Sequence, residues 1–342
     1  MNNSANKCII VAELGINHNG DMGLARQAIV EAKKSGADAI KFQNYRTEDF
    51  LSDSSLTYCY QSRGLEVIES QFEMFKRCEL SDEQVIMLAD HCREHEMLFF
   101  STPTNPYGVR LLKEAGAAYV KNGSDYLTNI PLIQAMAESG LPTILSTGMA
   151  VLGEIDDAVT AFKQAGGANL TLLHCTSSYP TPPNDVNLRR IKALELAFGC
   201  PAGFSDHTDG IVAALGAVSL GACMLEKHFT LDKKLPGPDH HFSMDPAELA
   251  LLVNSIRTLE AQIGESAIGP TASEHHGRSN FRLSCVAARD LAAGHCISED
   301  DIVFRRPGTG FLPKLSHVLI GLKLTKAVSY GDPFQNEHFI SC

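Results

Sequence analysis

At 342 residues with 44% hydrophobic side chains, the chain is long enough for a barrel of roughly 250 residues plus a small extra unit. Its net charge of −11 argues against a general nucleic-acid binder, which needs a basic surface. Its apolar runs fall short of the roughly 18 residues that cross a membrane, and the polar start, Met1–Lys7, does not read as a signal peptide.

Strand-like and helix-like stretches alternate from Cys8 to about Gly264. Cys8–Leu14 reads as strand one and Met22–Lys34 as its helix. Strand two, Ala37–Phe42, precedes a polar insertion that ends in a helix-like stretch, Glu66–Arg77. Ser81 with Gln84 three residues on fits a capping box that opens a helix over Asp82–Glu96. Strands three to eight follow at Met97–Ser101, Ala118–Lys121, Thr143–Ser146, Leu170–His174, Ala202–Ser205 and Ala222–His228, each with its helix, the last being Pro246–Ile263. Eight such units in series predict a (βα)8 TIM barrel over residues 1–264 rather than an open doubly wound sheet. Residues 265–283 read as a linker. Residues 284–342 read as a small, mostly-β module broken by Gly and Pro, too small for a generous core of its own.

All the strand ends of such a barrel open on one face, where these barrels do chemistry. His207 and His228 end strands seven and eight. Adjacent strands lie about 5 Å apart, so both imidazoles can reach one point. Two neutral imidazoles suit a Mn²⁺, Mg²⁺, Zn²⁺ or Fe²⁺ site with open positions, and Asp206 and Glu226 stand by as ligands or as partners that orient the rings. The plainer reading is two hydrogen-bonded histidines; His240-His241 and His275-His276 get only that one. Lys41 and Lys121 end strands two and four. Each can grip a phosphate or carboxylate as a point charge, or serve as the Schiff-base nucleophile of an aldolase. Ser124, Ser146, Thr147, Ser177 and Ser205 add hydroxyls, each weak evidence alone. Glu13 and Asp239, the latter in the stiff Pro236-Gly237-Pro238-Asp239 loop, are carboxylates placed to handle a proton or to close the barrel end with a salt bridge. Ten cysteines show no CxxC pair and no zinc spacing, so reduced thiols in a cytoplasm are expected.

The order Ala12-Glu13-Leu14-Gly15-Ile16-Asn17-His18-Asn19-Gly20, Lys41-Phe42-Gln43, Ser101-Thr102-Pro103, Lys121-Asn122-Gly123-Ser124, Leu145-Ser146-Thr147-Gly148-Met149, Leu173-His174-Cys175-Thr176 with Tyr179-Pro180, Phe204-Ser205-Asp206-His207-Thr208, Glu226-Lys227-His228-Phe229 and Gly237-Pro238-Asp239 resembles the sialic acid synthase family. Its members make nonulosonic acids from phosphoenolpyruvate and a hexosamine-type sugar. The tail resembles the family's antifreeze-like (SAF) domain, through Arg305-Arg306-Pro307-Gly308.

The resemblance implies a divalent metal, Mn²⁺ or Mg²⁺, on His207 and His228. It implies phosphoenolpyruvate on Lys41, Thr102, Lys121, Ser124, Ser146, Ser177 and Ser205, although the best-known members carry Asn where Ser177 stands. Glu13, Gln43, Tyr179 and Asp239 would face an N-acylated amino sugar such as N-acetylmannosamine, and Glu13 would handle the proton of the water that adds. Arg306 would reach that sugar from the tail of a partner subunit in a domain-swapped homodimer. Many members carry a sugar-facing Glu where this chain has Tyr126, with Asp125 beside it. The rival expectations are a metal-free Schiff-base aldolase and a non-catalytic carbohydrate-binding protein.

Overall fold

The computed structural model describes residues 7–339, and the chain divides after Gly264 into two compact units. In the first, eight parallel strands close into a barrel. They are β1 (Ile9–Gly15), β2 (Ala39–Asn44), β3 (Leu98–Pro103), β4 (Tyr119–Lys121), β5 (Thr143–Ser146), β6 (Leu170–Cys175), β7 (Ala202–Asp206) and β8 (Met224–His228). Each pairs with its neighbours in sequence, and β1 closes the ring between β8 and β2. This is the expected TIM barrel. Local signals fix the helix starts: Ser81 and Gln84 form the expected capping box, and Asp245 caps Pro246–Ile263 in the same way.

Strand alternation sorts the side chains. Ile10, Ala12, Leu14, Ile40, Phe42, Leu172, Phe204 and Leu225 belong to the large core shared with the helices. The alternate positions Val11, Ala39, Phe100, Ile144, Leu173 and Met224 form a separate buried cluster, a layer that plugs the barrel. Gly203 is the β7 member of that layer. A Cβ there would lie 2.6 Å from Leu173 Cδ2 and 2.4 Å from the Met224 carbonyl oxygen, so glycine makes room for the plug.

Three expectations change. β2 runs on to Asn44, which places Gln43 in the strand. The insertion is not helical from Glu66; Thr57–Ser62 and Leu65–Ser70 form an antiparallel hairpin, and the helix starts only at Gln71, capped by Ser70. Arg63 and Gly64, at φ +54° and +75°, make the two-residue turn that such hairpins favour. Residues 265–283 are more than linker: Ala272–Glu274 and His275–Asn280 are short helical turns.

The second unit holds the antiparallel strands β9 (Ser284–Ala287) and β10 (Ile302–Arg305). They cover a small core of Cys285, Leu291, Ile297, Leu319, Leu324, Val328 and Phe334. Among the described residues no helix is long and apolar enough to cross a membrane, and nine cysteines are free thiols.

Candidate active site

Two residues beyond the apolar plug, every strand contributes one side chain to a hollow of about 550 Å³: Glu13, Lys41, Thr102, Lys121, Ser146, Cys175, Ser205 and Glu226. The ring is ionic and buried. Lys41 Nζ lies 2.9 Å from Glu13 Oε1 and 3.9 Å from Glu226 Oε1, and it donates to Thr102 Oγ1 at 3.0 Å. Lys121 Nζ lies 3.2 Å from Glu226 Oε1, which also accepts from Ser205 Oγ at 3.1 Å. Gln43 Nε2 donates to Glu13 Oε1 at 3.4 Å. Glu13 Oε2 and Glu226 Oε2 have no hydrogen-bond partner, although both are buried. Such atoms cost free energy unless something else satisfies them.

The two carboxyls titrate apart. Burial, helped by the Glu226 charge and opposed by Lys41, raises Glu13 to about 7. Burial also acts against Glu226, but the Lys121 and Lys41 ammoniums outweigh it and hold the carboxyl below its usual range. Lys41 is pulled up by Glu13 and Glu226 against its own burial.

Beside the ammoniums lies a hydroxyl cradle. Ser124 Oγ and Ser146 Oγ are 2.9 Å apart, and the Gly148 amide donates to Ser124 Oγ at 3.1 Å. A Cβ on residue 148 would come within 2.4 Å of Ser177 Oγ and 2.7 Å of Ser124 Oγ. The close approach of this loop to both hydroxyls therefore requires glycine. Asn122 steadies the cradle by accepting from the Ser146 amide at 2.7 Å.

The next side chains along β7 and β8 are the imidazoles, with ring centres 5.3 Å apart. His207 Nδ1 donates to the Thr176 carbonyl at 2.9 Å, so in the neutral ring the lone pair lies on Nε2. Burial depresses the His207 ring, but its contacts with Cys175 and the Thr176 carbonyl raise it overall. His228 is driven well below its usual range by burial and by the cations around it, so it is neutral. Its buried Nδ1 has no hydrogen-bond partner and sits 3.7 Å from Asp239 Oδ2. Burial lifts Asp239 to about 6 against the pull of His207. Tyr179 lies against both rings, with centroids 4.2 and 5.8 Å away.

Two imidazoles with free or orphaned nitrogens, and a carboxylate beside one of them, fit a divalent cation with open positions. Among the described residues no group of three or more His, Cys, Asp or Glu side chains gathers as a complete cluster, so the donor set is this pair. Asp206 is no ligand: strand alternation turns it outward, where it pairs with Lys227 at 2.9 Å. Glu226 points inward but is engaged by Lys121, Lys41 and Ser205.

Thirteen of the fourteen expected site residues line this one hollow: Glu13, Lys41, Gln43, Thr102, Lys121, Ser124, Ser146, Ser177, Tyr179, Ser205, His207, His228 and Asp239. Asp125 and Tyr126 line it too. The fourteenth, Arg306, belongs to the second unit, where its guanidinium lies 5.3 Å over the Phe281 ring. The sequence places Glu226 beside the imidazoles as a ligand or orienting partner rather than in the ring, and it gives Cys175 no role. Their signal is spacing by two, Glu226 before His228 and Cys175 before Ser177, on the inward side of a strand. The thiol of Cys175 is lowered to about 7, because contacts with His207 and the Lys121 charge outweigh its burial.

Ionic groups, hydroxyls and paired imidazoles at the carboxyl ends of the strands stand where TIM-barrel enzymes place their active sites. Comparison with known proteins narrows this. Residues 28–267 match the NeuB family and residues 284–340 match the SAF domain, so the chain belongs to the NeuB family and carries a SAF domain. It is 40% identical to N,N'-diacetyllegionaminic acid synthase of Legionella pneumophila, over 98% of this chain and 95% of that one. It is 32% identical to human N-acetylneuraminate-9-phosphate synthase, over 96% and 92%. Among solved structures, the N-acetylneuraminic acid (sialic acid) synthetase of Leptospira borgpetersenii, crystallised with citrate, aligns with a TM-score of 0.71 at 37% identity, over 80% of this chain and 90% of that one. These relatives are synthases of the nonulosonic class.

Proposed function

We propose that the protein condenses phosphoenolpyruvate with an N-acylated hexosamine and water, giving a nonulosonic acid and phosphate. The observation that carries this reading is the ring of eight strand-end groups, whose two ammoniums stand beside a serine cradle and beneath a pair of imidazoles.

The anionic substrate fits the ammoniums. Lys41 and Lys121 hold the phosphate and carboxylate, and Thr102, Ser124, Ser146, Ser177 and Ser205 donate to their oxygens in a buried, low-dielectric site. The enol carbon C3 attacks the aldehyde carbon of the open-chain sugar, and water adds at C2. The hemiketal then loses phosphate by C–O cleavage, so that both substrates and the water are accounted for. His207 and His228 would hold a divalent cation, Mn²⁺ or Mg²⁺, which would supply Lewis-acid polarisation of the sugar carbonyl. Glu13, raised to about 7, takes the proton of the added water. Gln43, Tyr179 and Asp239 orient the acceptor. In this reading the enzyme is a homodimer working in the cytoplasm, and Arg306 of a second copy reaches the acceptor.

A Schiff-base aldolase needs an uncharged amine. Lys41 is held charged by Glu13 and Glu226, and Lys121 is salt-bridged to Glu226 at 3.2 Å. A phosphate-release assay with phosphoenolpyruvate, Mn²⁺ and a panel of acceptor sugars tests the proposal. Release that depends on the acceptor supports it. Sugar binding without release would leave a carbohydrate-binding protein, and borohydride trapping of substrate on Lys121 would leave the aldolase.

A further inference from the structure

We infer that Asn17 and Asn19, on the loop that follows β1, are positioning residues: they pin the loop that follows β8 so that the Asp239 carboxyl meets the acceptor beside His228. The inference rests on the condensing reading above and adds to it two residues that do not line the hollow.

The need for a clamp comes from the chain itself. Between His228 and Pro246 there is no helix or strand, only a bridge at the base that pairs Phe229 with Met244. No regular ladder fixes the backbone that carries Asp239, and ordering it costs conformational entropy. Asp239 nonetheless lines the hollow, with Oδ2 3.7 Å from His228 Nδ1.

Two amides hold it there. Asn17 is buried, and its Nδ2 donates to the Phe229 carbonyl at 2.8 Å and to Ser243 Oγ at 2.9 Å. Its Oδ1 has no partner, so the hydrogen bonds of this side chain all run to the loop after β8. Ser243, also buried, passes the contact on: its Oγ donates to the Asp239 carbonyl at 2.6 Å, and its amide donates to the same oxygen at 3.2 Å. Asn19 Nδ2 donates to the Pro236 carbonyl at 2.8 Å and to His240 Nε2 at 3.2 Å. With Nε2 accepting, His240 Nδ1 carries the hydrogen and donates to Thr230 Oγ1 at 2.7 Å.

Gly237 completes the fit. At φ +147° it packs so closely that a Cβ would lie 2.8 Å from His240 Cδ2 and 3.2 Å from Asn19 Oδ1. The attachment points at Pro236, Asp239 and His240 bracket the Asp239 side chain, and Phe229 directly follows His228. The clamp therefore grips the part of the loop that faces the chemistry.

The test measures phosphate release by the full-length protein with phosphoenolpyruvate, Mn²⁺ and the fastest acceptor of the panel above. Asn19 stands at φ +52°, so Asn19→Gly suits the backbone and removes only the clamp. Ser243→Ala cuts the link to the Asp239 carbonyl. Each should raise KM for the acceptor about 10- to 100-fold and leave KM for phosphoenolpyruvate, held from the strands, unchanged. On top of Asp239→Asn, either change should move the acceptor KM no more than about twofold, because the clamp acts through that carboxyl. A wild-type acceptor KM in either folded variant, even with lowered thermal stability, makes these contacts structural only. That result, or the full effect of either change on top of Asp239→Asn, overturns the inference and leaves the condensing reading standing. No release from the wild-type protein with any acceptor sinks both.

Discussion

The barrel holds two sets of buried ions on opposite sides of the same strand ends. Behind the ring, Lys227 donates to Asp206 Oδ2 and to the Thr208 carbonyl, while the Thr208 amide donates to Asp206 Oδ1 at 2.8 Å. Both carboxylate oxygens are satisfied. Inside the ring, Lys41, Lys121, Glu13 and Glu226 use the same chemistry but leave an oxygen of each carboxyl orphaned, as well as Nδ1 of His228. The carboxylate of the first set is closed and serves structure, although the Thr208 hydroxyl has no partner: it ties Asp206 and Thr208, on either side of His207, to β8 next to His228. The second set is incomplete without something that enters the hollow. Hydrogen-bond satisfaction, not burial or charge alone, separates a structural ion pair from a site waiting for a ligand.

Breaking each set should therefore have opposite consequences. Lys227→Met leaves a buried carboxylate without its partner and should cost about 3–5 kcal/mol of stability, read by denaturant melts. Lys41→Met should lose little stability, because Glu13 can take a proton and go neutral, yet it should lower kcat/KM about 10²- to 10³-fold. If Lys41→Met destabilised the fold as much as Lys227→Met, the distinction would fail.

The tail offers a third case that sharpens the comparison. Asp301 is buried and fully engaged: it accepts from Arg289 Nε at 2.8 Å, His295 Nε2 at 2.8 Å, and the Ser298 amide and hydroxyl at 2.9 and 2.8 Å. Burial works against its charge, but these donors override it and hold the carboxyl well below its usual range. A depressed carboxyl stabilises the fold above the ordinary carboxylate range, and that stabilisation drains as pH falls below about 4. Asp301→Asn should cost about 1–3 kcal/mol at neutral pH and reduce the loss of stability on going to pH 3, both read from thermal melts. Equal acid sensitivity in wild type and variant would show that the network is not what acid breaks.

The smallest effect concerns Glu13, which belongs to the incomplete set. If its carboxylate takes a proton from water, kcat/KM should rise with pH through about 7, and Glu13→Gln should flatten that limb. A limb that persists in the variant would assign the titration to another group.

Much of this was legible before any coordinates. Strand–helix alternation gave the barrel, and Lys41, Lys121, Ser146 and Ser205 stood out because polar groups at strand ends are conspicuous. Glu226 was harder, since it lies inside the strand window and its inward direction appears only by counting in twos from Met224 and His228. Asp206 misled for the converse reason: it sits next to His207 in sequence, and adjacent residues of a strand face opposite sides. The hairpin was hidden because Leu65, Val67 and Ile68 suit a helical period as well as a strand, and the turn signal, Arg63-Gly64, is a weaker form of Asn-Gly. Nothing in a linear pattern shows that Tyr45, Phe50 and Phe75 pack edge to face against one another, because that depends on how the insertion folds back.

The central claim is that the hollow joins phosphoenolpyruvate to a sugar and expels phosphate from carbon. It is tested most directly with phosphoenolpyruvate carrying ¹⁸O at the bridging oxygen, an acceptor sugar and Mn²⁺. The heavy oxygen should leave with the phosphate, and the product should weigh as much as the sugar plus pyruvic acid. Label retained in the organic product, or phosphate released with no new carbon–carbon bond, would contradict the account.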